Sequence, residues 1–167
     1  MDFDASELTL MPFGLPGKIY RSPMPFRDGD KDGELFEQYQ QAGIQVVVVL
    51  AEADECQRKT GRDLLKYYIE QGLSVIHCPI RDFTAPESPS ALHEAILTTL
   101  NLAQQGKAIA VHCFAGYGRT GLFMGCLARQ HLGFSGDHAV AWVRRYRPGA
   151  VENQAQVEYV NDYEMIQ

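Results

Sequence analysis

The sequence predicts an α/β fold, one domain with a central, mainly parallel sheet of about five strands flanked by helices. Three observations carry this. Short apolar runs rich in β-branched residues recur along the chain, the pattern of strands covered on both faces. Segments with helical apolar spacing lie between them. After the last strong run only helix-like segments follow, as expected of helices packed on a mostly parallel sheet. The chain has 167 residues, enough for one core, and no repeat or low-complexity linker divides it, so 1–167 is read as a single domain.

The elements follow in order. Two weaker strands, around Leu8–Phe13 and Lys18–Ser22, are joined by the GLPG turn at 14–17. The strong strands are Val46–Leu50 (VVVVL), Ser74–Ile80 (SVIHCPI) and Lys107–His112 (KAIAVH). Leu64, Leu65, Tyr68 and Ile69 repeat at helical spacing before Gly72, a C-terminal stop. Leu92, Ile96, Leu100 and Ala103 form a second helical stripe, opened by Ser88-Pro89 and closed by Gly106. Three more helices are expected near 120–132, 136–146 and 154–165, the second capped by Ser135.

Composition narrows the function. Net charge is −6 with a sequence pI near 5.3, which argues against general nucleic-acid binding or attraction to an anionic membrane. The longest apolar run, Val46 to Ala51, is too short to cross a bilayer, and the acidic opening MDFDASELTL lacks a signal pattern. Cys56, Cys78, Cys113 and Cys126 form no C-x-x-C pair and no disulfide framework, so a reducing cytoplasm is the expected compartment; the chain is also expected to be a monomer.

Residues 112–121, HCFAGYGRTG, carry two overlapping phosphate motifs. Gly116, Gly118 and Gly121 spell the G-x-G-x-x-G of a dinucleotide turn. That motif requires a following strand and an acidic ribose ligand roughly 20 positions on. Asp137 has about that spacing, but it sits at a helix start and no strand intervenes. A second decoy is DGDKDGELFEQY, 28–39, where Asp28, Asp30, Asp32 and Gly33 match half a calcium loop. Phe36 and Tyr39 occupy its ninth and twelfth positions, where ligands are required. This stretch reads as a solvated acidic turn entering a short helix whose Leu35, Phe36 and Tyr39 pack inward.

The other motif is Cys113 followed by Arg119, between a strand and a helix. Successive backbone N–H groups and the helix N-terminus make such a loop a cradle for a tetrahedral anion. Phe114, Ala115, Gly116, Tyr117 and Gly118 would supply the amides, and Arg119 a planar fork for two oxygens. A sulfur at the centre favours its thiolate form and faces phosphorus. Donors aimed at three equatorial oxygens stabilise phosphoryl transfer without a metal. Cys113 can then take the phosphoryl group covalently.

HCFAGYGRTG resembles the H-C-x5-R-[ST] signature loop of the protein tyrosine phosphatase superfamily. A single small domain with the loop about two thirds along resembles its cysteine-dependent dual-specificity branch, of the kinase-associated and atypical type. The resemblance spans roughly 18 to 162 in element order, although the loop alone is highly specific. It implies a signature loop between the last strand and a helix, and a metal-independent phosphomonoester hydrolase without cofactor. Asp82, in CPIRDFTAPES, matches the family's mobile acid loop and is the expected general acid, with Glu87 a weaker substitute. Thr120 matches the hydroxyl that bonds the sulfur, and His112 the first letter of the signature. Gln156, in RPGAVENQAQVEYV, matches a water-positioning glutamine, but Asn153 with Gln156 reads equally as a helix cap. His77-Cys78 and His112-Cys113 suggest zinc, yet thiolate coordination would consume the nucleophile. Cys78 could also form a protective disulfide with an oxidised Cys113.

The expected substrate is a phosphorylated protein or peptide, phosphotyrosine above phosphoserine or phosphothreonine. The alternatives are a phosphoprotein-binding module without turnover on the same fold, or a phosphoinositide or RNA phosphatase. The Phe114 and Tyr117 positions lack the lysines that phosphoinositide-directed relatives often carry.

Overall fold

Five strands form one sheet in the order β1-β2-β5-β3-β4. They are β1 (Thr9–Met11), β2 (Lys18–Ser22), β3 (Val46–Val49), β4 (Ser74–His77) and β5 (Ala108–His112). This is a computed structural model, and it describes residues 8–165; the opening MDFDASE and the last two residues, part of the 1–167 domain expectation, lie outside the described residues. Only β1 runs antiparallel, pairing Thr9 with Arg21 on β2, and the other three pairings are parallel.

Side chains alternate across the central strands, as the strand period of two requires. Val46, Val48, Ile109 and Val111 face one core, whereas Val47, Val49 and Ala110 face the other. Helices α1 (Glu34–Gln41), α2 (Ala53–Thr60) and α3 (Leu64–Glu70) cover the second face. Helices α4 (Pro89–Gln104), α5 (Gly118–Leu132), α6 (Gly136–Tyr146) and α7 (Gln154–Asp162) cover the first. The caps follow the sequence signals. Ser88 accepts from Ala91 N with Pro89 in the first turn of α4, and Ser135 accepts from His138 N at the start of α6. Arg129 on α5 donates to Val160 O and Asn161 O at 3.1 and 3.0 Å, tying the end of α7 to α5.

Several expectations are corrected. β4 is an edge strand with Ser74 and His77 exposed, not one covered on both faces, and it stops at His77 rather than Ile80. α7 ends at Asp162 instead of 165. The polar helix α2 was absent from the sequence-based element order and matters for the site. Among the described residues no helix is long and apolar enough to cross a membrane.

Both decoy motifs are absorbed by the fold. Asp137 lies in the first turn of α6, and no strand follows β5 among the described residues. Asp30 is buried and turned inward, accepting from Phe26 N and Leu35 N at 3.0 and 3.2 Å. Leu35, Phe36 and Tyr39 are the buried face of α1.

Candidate active site

The site lies where β5 ends and α5 begins, at the C-terminal edge of the parallel strands, where open α/β sheets commonly bind ligands. Cys113 follows β5 and is 2 % exposed. α5 starts at Gly118, so its first-turn N–H groups have no acceptor within the helix and present the positive end of its dipole.

The carbonyls of this loop are held outward. Met24 N donates to Phe114 O at 2.8 Å, and Val151 N to Tyr117 O at 3.0 Å. His112 Nδ1 lies 2.9 Å from Cys113 O, and Arg21 Nη2 donates to Gly116 O at 3.2 Å. In a trans peptide the N–H points opposite to the carbonyl. The amides of Phe114, Ala115, Tyr117 and Gly118 therefore turn to the concave side, forming an anion nest. Gly116 has φ 83°, and a Cβ there would strike the Arg21 side chain and sit 2.9 Å from Ser22 O. Glycine is required at this position on both counts.

His112 links the loop to the core. A carbonyl only accepts, so the contact to Cys113 O places a proton on Nδ1. Burial lowers the His112 pKa to about 4, so the ring is neutral and Nε2 accepts from Tyr68 Oη at 2.8 Å. Tyr68 can donate because burial raises its own pKa well above the usual value. Thr120 Oγ1 donates to Cys113 Sγ at 3.1 Å.

Arg119 is 1 % exposed and held on several sides. Its Nη1 and Nη2 donate to the two Glu55 carboxylate oxygens at 2.9 and 2.8 Å, and Nη1 also reaches Ile80 O at 2.9 Å. Nη2 lies 3.1 Å from Asp82 Oδ1. Burial alone would lower the Arg119 pKa, but the Glu55 hydrogen bonds, with Cys113 and Asp82, outweigh it and raise it. Its Nε is buried without a hydrogen-bond partner among the described residues, leaving a donor for an incoming oxygen.

The loop carrying Asp82 is tied to the start of α7. Asn153 Nδ2 donates to Phe83 O at 2.9 Å, and Gln156 Nε2 approaches Thr84 O at 3.4 Å. Phe83 N donates to Asp82 Oδ1 at 3.0 Å. Phe83 has φ 63° and Val151 φ 56°, left-handed values that side-chain-bearing residues rarely adopt. Strain of this kind persists where surrounding contacts over-determine the backbone.

The sequence-derived set thus converges. Cys113, Thr120, Arg119, Asp82 and His112 share one site, and Gln156 is fully buried beside Gly118. The capping reading of Gln156 is half met: its N–H donates to Asn153 Oδ1 at 3.0 Å, but its Oε1 accepts from Glu152 N rather than from the N–H of Asn153. Glu87, by contrast, lines a cavity of about 380 Å³ with His77, Cys78 and Pro86. Glu152 is the carboxylate that interacts with Asp82 and Arg119; burial, then Asp82, raises its pKa, while Arg119 lowers it. Cys78 is a free, buried thiol in the same apolar core as Cys113, and burial raises its pKa. Sequence reasoning missed Glu55, Arg21, Tyr68 and Glu152, which reach the site from elements distant in sequence.

A family model described as "Polymorphic toxin system, DSP-PTPase phosphatase" matches residues 27–131, a stretch that contains both Asp82 and the Cys113–Arg119 loop. The chain belongs to the dual-specificity-type protein tyrosine phosphatase superfamily. The relatives named below are tyrosine or dual-specificity phosphatases, and a cysteine nucleophile is consistent with this fold. The tyrosine-protein phosphatase cdcA of Emericella nidulans is 30% identical over 138 residues, covering 81% of this chain and 20% of that protein. The chain spans about a fifth or less of the curated relatives it matches. Among solved structures, Tk-PTP in its active form is 34% identical with a TM-score of 0.74, covering 89% of this chain and 92% of that one. Kinase associated phosphatase, with serine replacing its catalytic-site cysteine, has a TM-score of 0.86 over 94% of this chain and 93% of that one. At 20% identity the latter likeness concerns the fold.

Proposed function

We propose that this phosphatase domain hydrolyses phosphomonoesters on proteins, phosphotyrosine above all, with phosphoserine and phosphothreonine as further substrates. The carrying observation is the convergence on one nest of a buried sulfur, a buried guanidinium and a carboxyl. Arg119 Nη2 lies 3.1 Å from Asp82 Oδ1, above a loop whose Cys113 Sγ accepts from Thr120 at 3.1 Å.

In this reading the phosphate settles on the loop amides and on Arg119 Nε and competes with Asp82 for the guanidinium. The Cys113 sulfur attacks phosphorus in line with the ester bond. As the P–O bond breaks, protonated Asp82 gives its proton to the leaving oxygen. Water then attacks the cysteinyl phosphate, Asp82 takes its proton, and Thr120 stabilises the departing sulfur with its hydroxyl. Gln156, whose amide borders Gly118, is suited to orient that water. Charge spread over three equatorial oxygens is met by donors already in place. The free thiols and acidic net charge favour a reducing cytoplasm and a monomer acting on protein rather than on nucleic acid or membrane.

Turnover of para-nitrophenyl phosphate and a phosphotyrosine peptide tests this. Activity should survive chelator and disappear in Cys113→Ser. Asp82→Asn should lower kcat on the peptide by about 10²–10⁴. Wild-type activity in Cys113→Ser, or activity abolished by chelator, would overturn the reading.

A further inference from the structure

On the opposite flank of β5 from the strand leading to Asp82, β2 carries Arg21. This side chain is 2 % exposed. Its Nε and Nη1 have no hydrogen-bond partner among the described residues. The charged and titratable groups that act on it are Arg147, Cys113, Tyr39 and Tyr117, with no carboxylate among them. Burial, then Arg147, pushes its pKa down to about 10, so it remains a cation at neutral pH. A buried cation without a carboxylate partner is costly, and an apolar side chain of similar length would fill the space more cheaply.

One contact accounts for its presence. Arg21 Nη2 donates to Gly116 O, 95 residues away in sequence and at the middle of the phosphate loop. Gly116 sits at φ 83° with no Cβ to restrain it, so the peptide joining it to Tyr117 can rotate at little steric cost. The carbonyls of Phe114 and Tyr117 are held by backbone amides, and that of Cys113 by neutral His112. The clamp on Gly116 is a charged one, and charge-assisted hydrogen bonds are the stronger kind.

We infer that Arg21 is a positioning residue that fixes the Gly116–Tyr117 peptide, so that the Tyr117 N–H faces the substrate's phosphate oxygens. With the carbonyl turned to Arg21, the N–H of the same trans peptide points into the nest. If that peptide rotates, the carbonyl oxygen enters the nest and one donor is replaced by a repelling dipole. The inference rests on reading the loop as a phosphate cradle. It adds β2, through the RSPM stretch at 21–24, to the elements that shape the site; Met24 N holds Phe114 O from the same stretch.

The test compares the full chain with Arg21→Met and Arg21→Lys, using orthovanadate inhibition, kcat/KM on para-nitrophenyl phosphate, and Tm. Arg21→Met should keep or raise Tm, because it removes a buried unpaired cation. It should nevertheless lose about tenfold to a hundredfold in both vanadate affinity and kcat/KM. Arg21→Lys, with the charge but not the planar fork, should recover part of that loss. A folded Arg21→Met within about twofold of wild type, the size of an ordinary surface change, would overturn the inference. If Arg21→Met does not fold, Arg21→Lys decides. A loss of about fivefold in vanadate affinity at unchanged Tm supports the clamp, and wild-type affinity overturns it. A wild-type chain that neither turns over the ester nor binds vanadate would instead refute the phosphatase reading itself.

Discussion

Arg119 would be a poor phosphate ligand if its long side chain were free to swing. Glu55 removes that freedom by accepting from both Nη atoms at 2.9 and 2.8 Å, leaving Nε for substrate. Both partners are buried, so removing the Glu55 charge leaves Arg119 with only the partly exposed Asp82 as its carboxylate, a loss below the about 3–5 kcal/mol of a fully broken buried pair. Glu55→Gln keeps the shape and one acceptor but no charge. It is expected to lower the urea midpoint and to raise KM for a phosphopeptide more than tenfold; unchanged KM would show that Arg119 is oriented without Glu55. Cys113 and Arg119 were legible in the sequence because they sit in one contiguous loop. Glu55 was not, because it joins the site from 64 residues away through a contact that no local pattern encodes. Tyr68 and Arg21 were hidden for the same reason, although an arginine inside a strand segment otherwise destined for the core was a readable irregularity.

At the scale of elements, the strong strands and the capped helices were readable because burial and capping leave local marks. α2 left none. Its sequence, ADECQRKT, is almost wholly polar, and its buried residues are Glu55, Cys56 and Thr60. The helix faces an ion pair as well as an apolar core, so the usual apolar stripe is missing. β4 was misjudged for the opposite reason, since SVIH reads like a central strand but closes the sheet edge. The contact between α5 and the 150–152 turn shows how tightly elements are fitted around the loop. A Cβ on Gly121 would lie 2.6 Å from Val151 N, the group that holds Tyr117 O. Gly121→Ala must displace that turn, and overpacking of this kind costs about 1–3 kcal/mol. Urea denaturation should show this loss together with weaker vanadate inhibition. A loss of stability with unaltered inhibition would mean that the turn does not support the nest.

The whole molecule is an arrangement for bringing three strand ends together. β5 delivers Cys113, β4 leads to Asp82, and β2 brings Arg21 and Met24 behind the loop. α2 and α7 then fix the arginine and the acid loop from either layer. The parallel order β2-β5-β3-β4 makes this possible, because it places these ends along one edge of the sheet. In the proposed mechanism Cys113 carries the phosphoryl group during turnover, and Asp82 serves both steps. Rapid denaturing quench of Asp82→Asn during turnover of para-nitrophenyl phosphate, followed by peptide mapping, tests it most directly. The leaving group needs little acid assistance, so the first step proceeds while the second is slowed. A phosphoryl group is expected on Cys113, and none on the loop peptide of the Asp82→Asn/Cys113→Ser double variant. A phosphoryl group on another residue, or turnover that continues at an undiminished rate without Cys113, would contradict it.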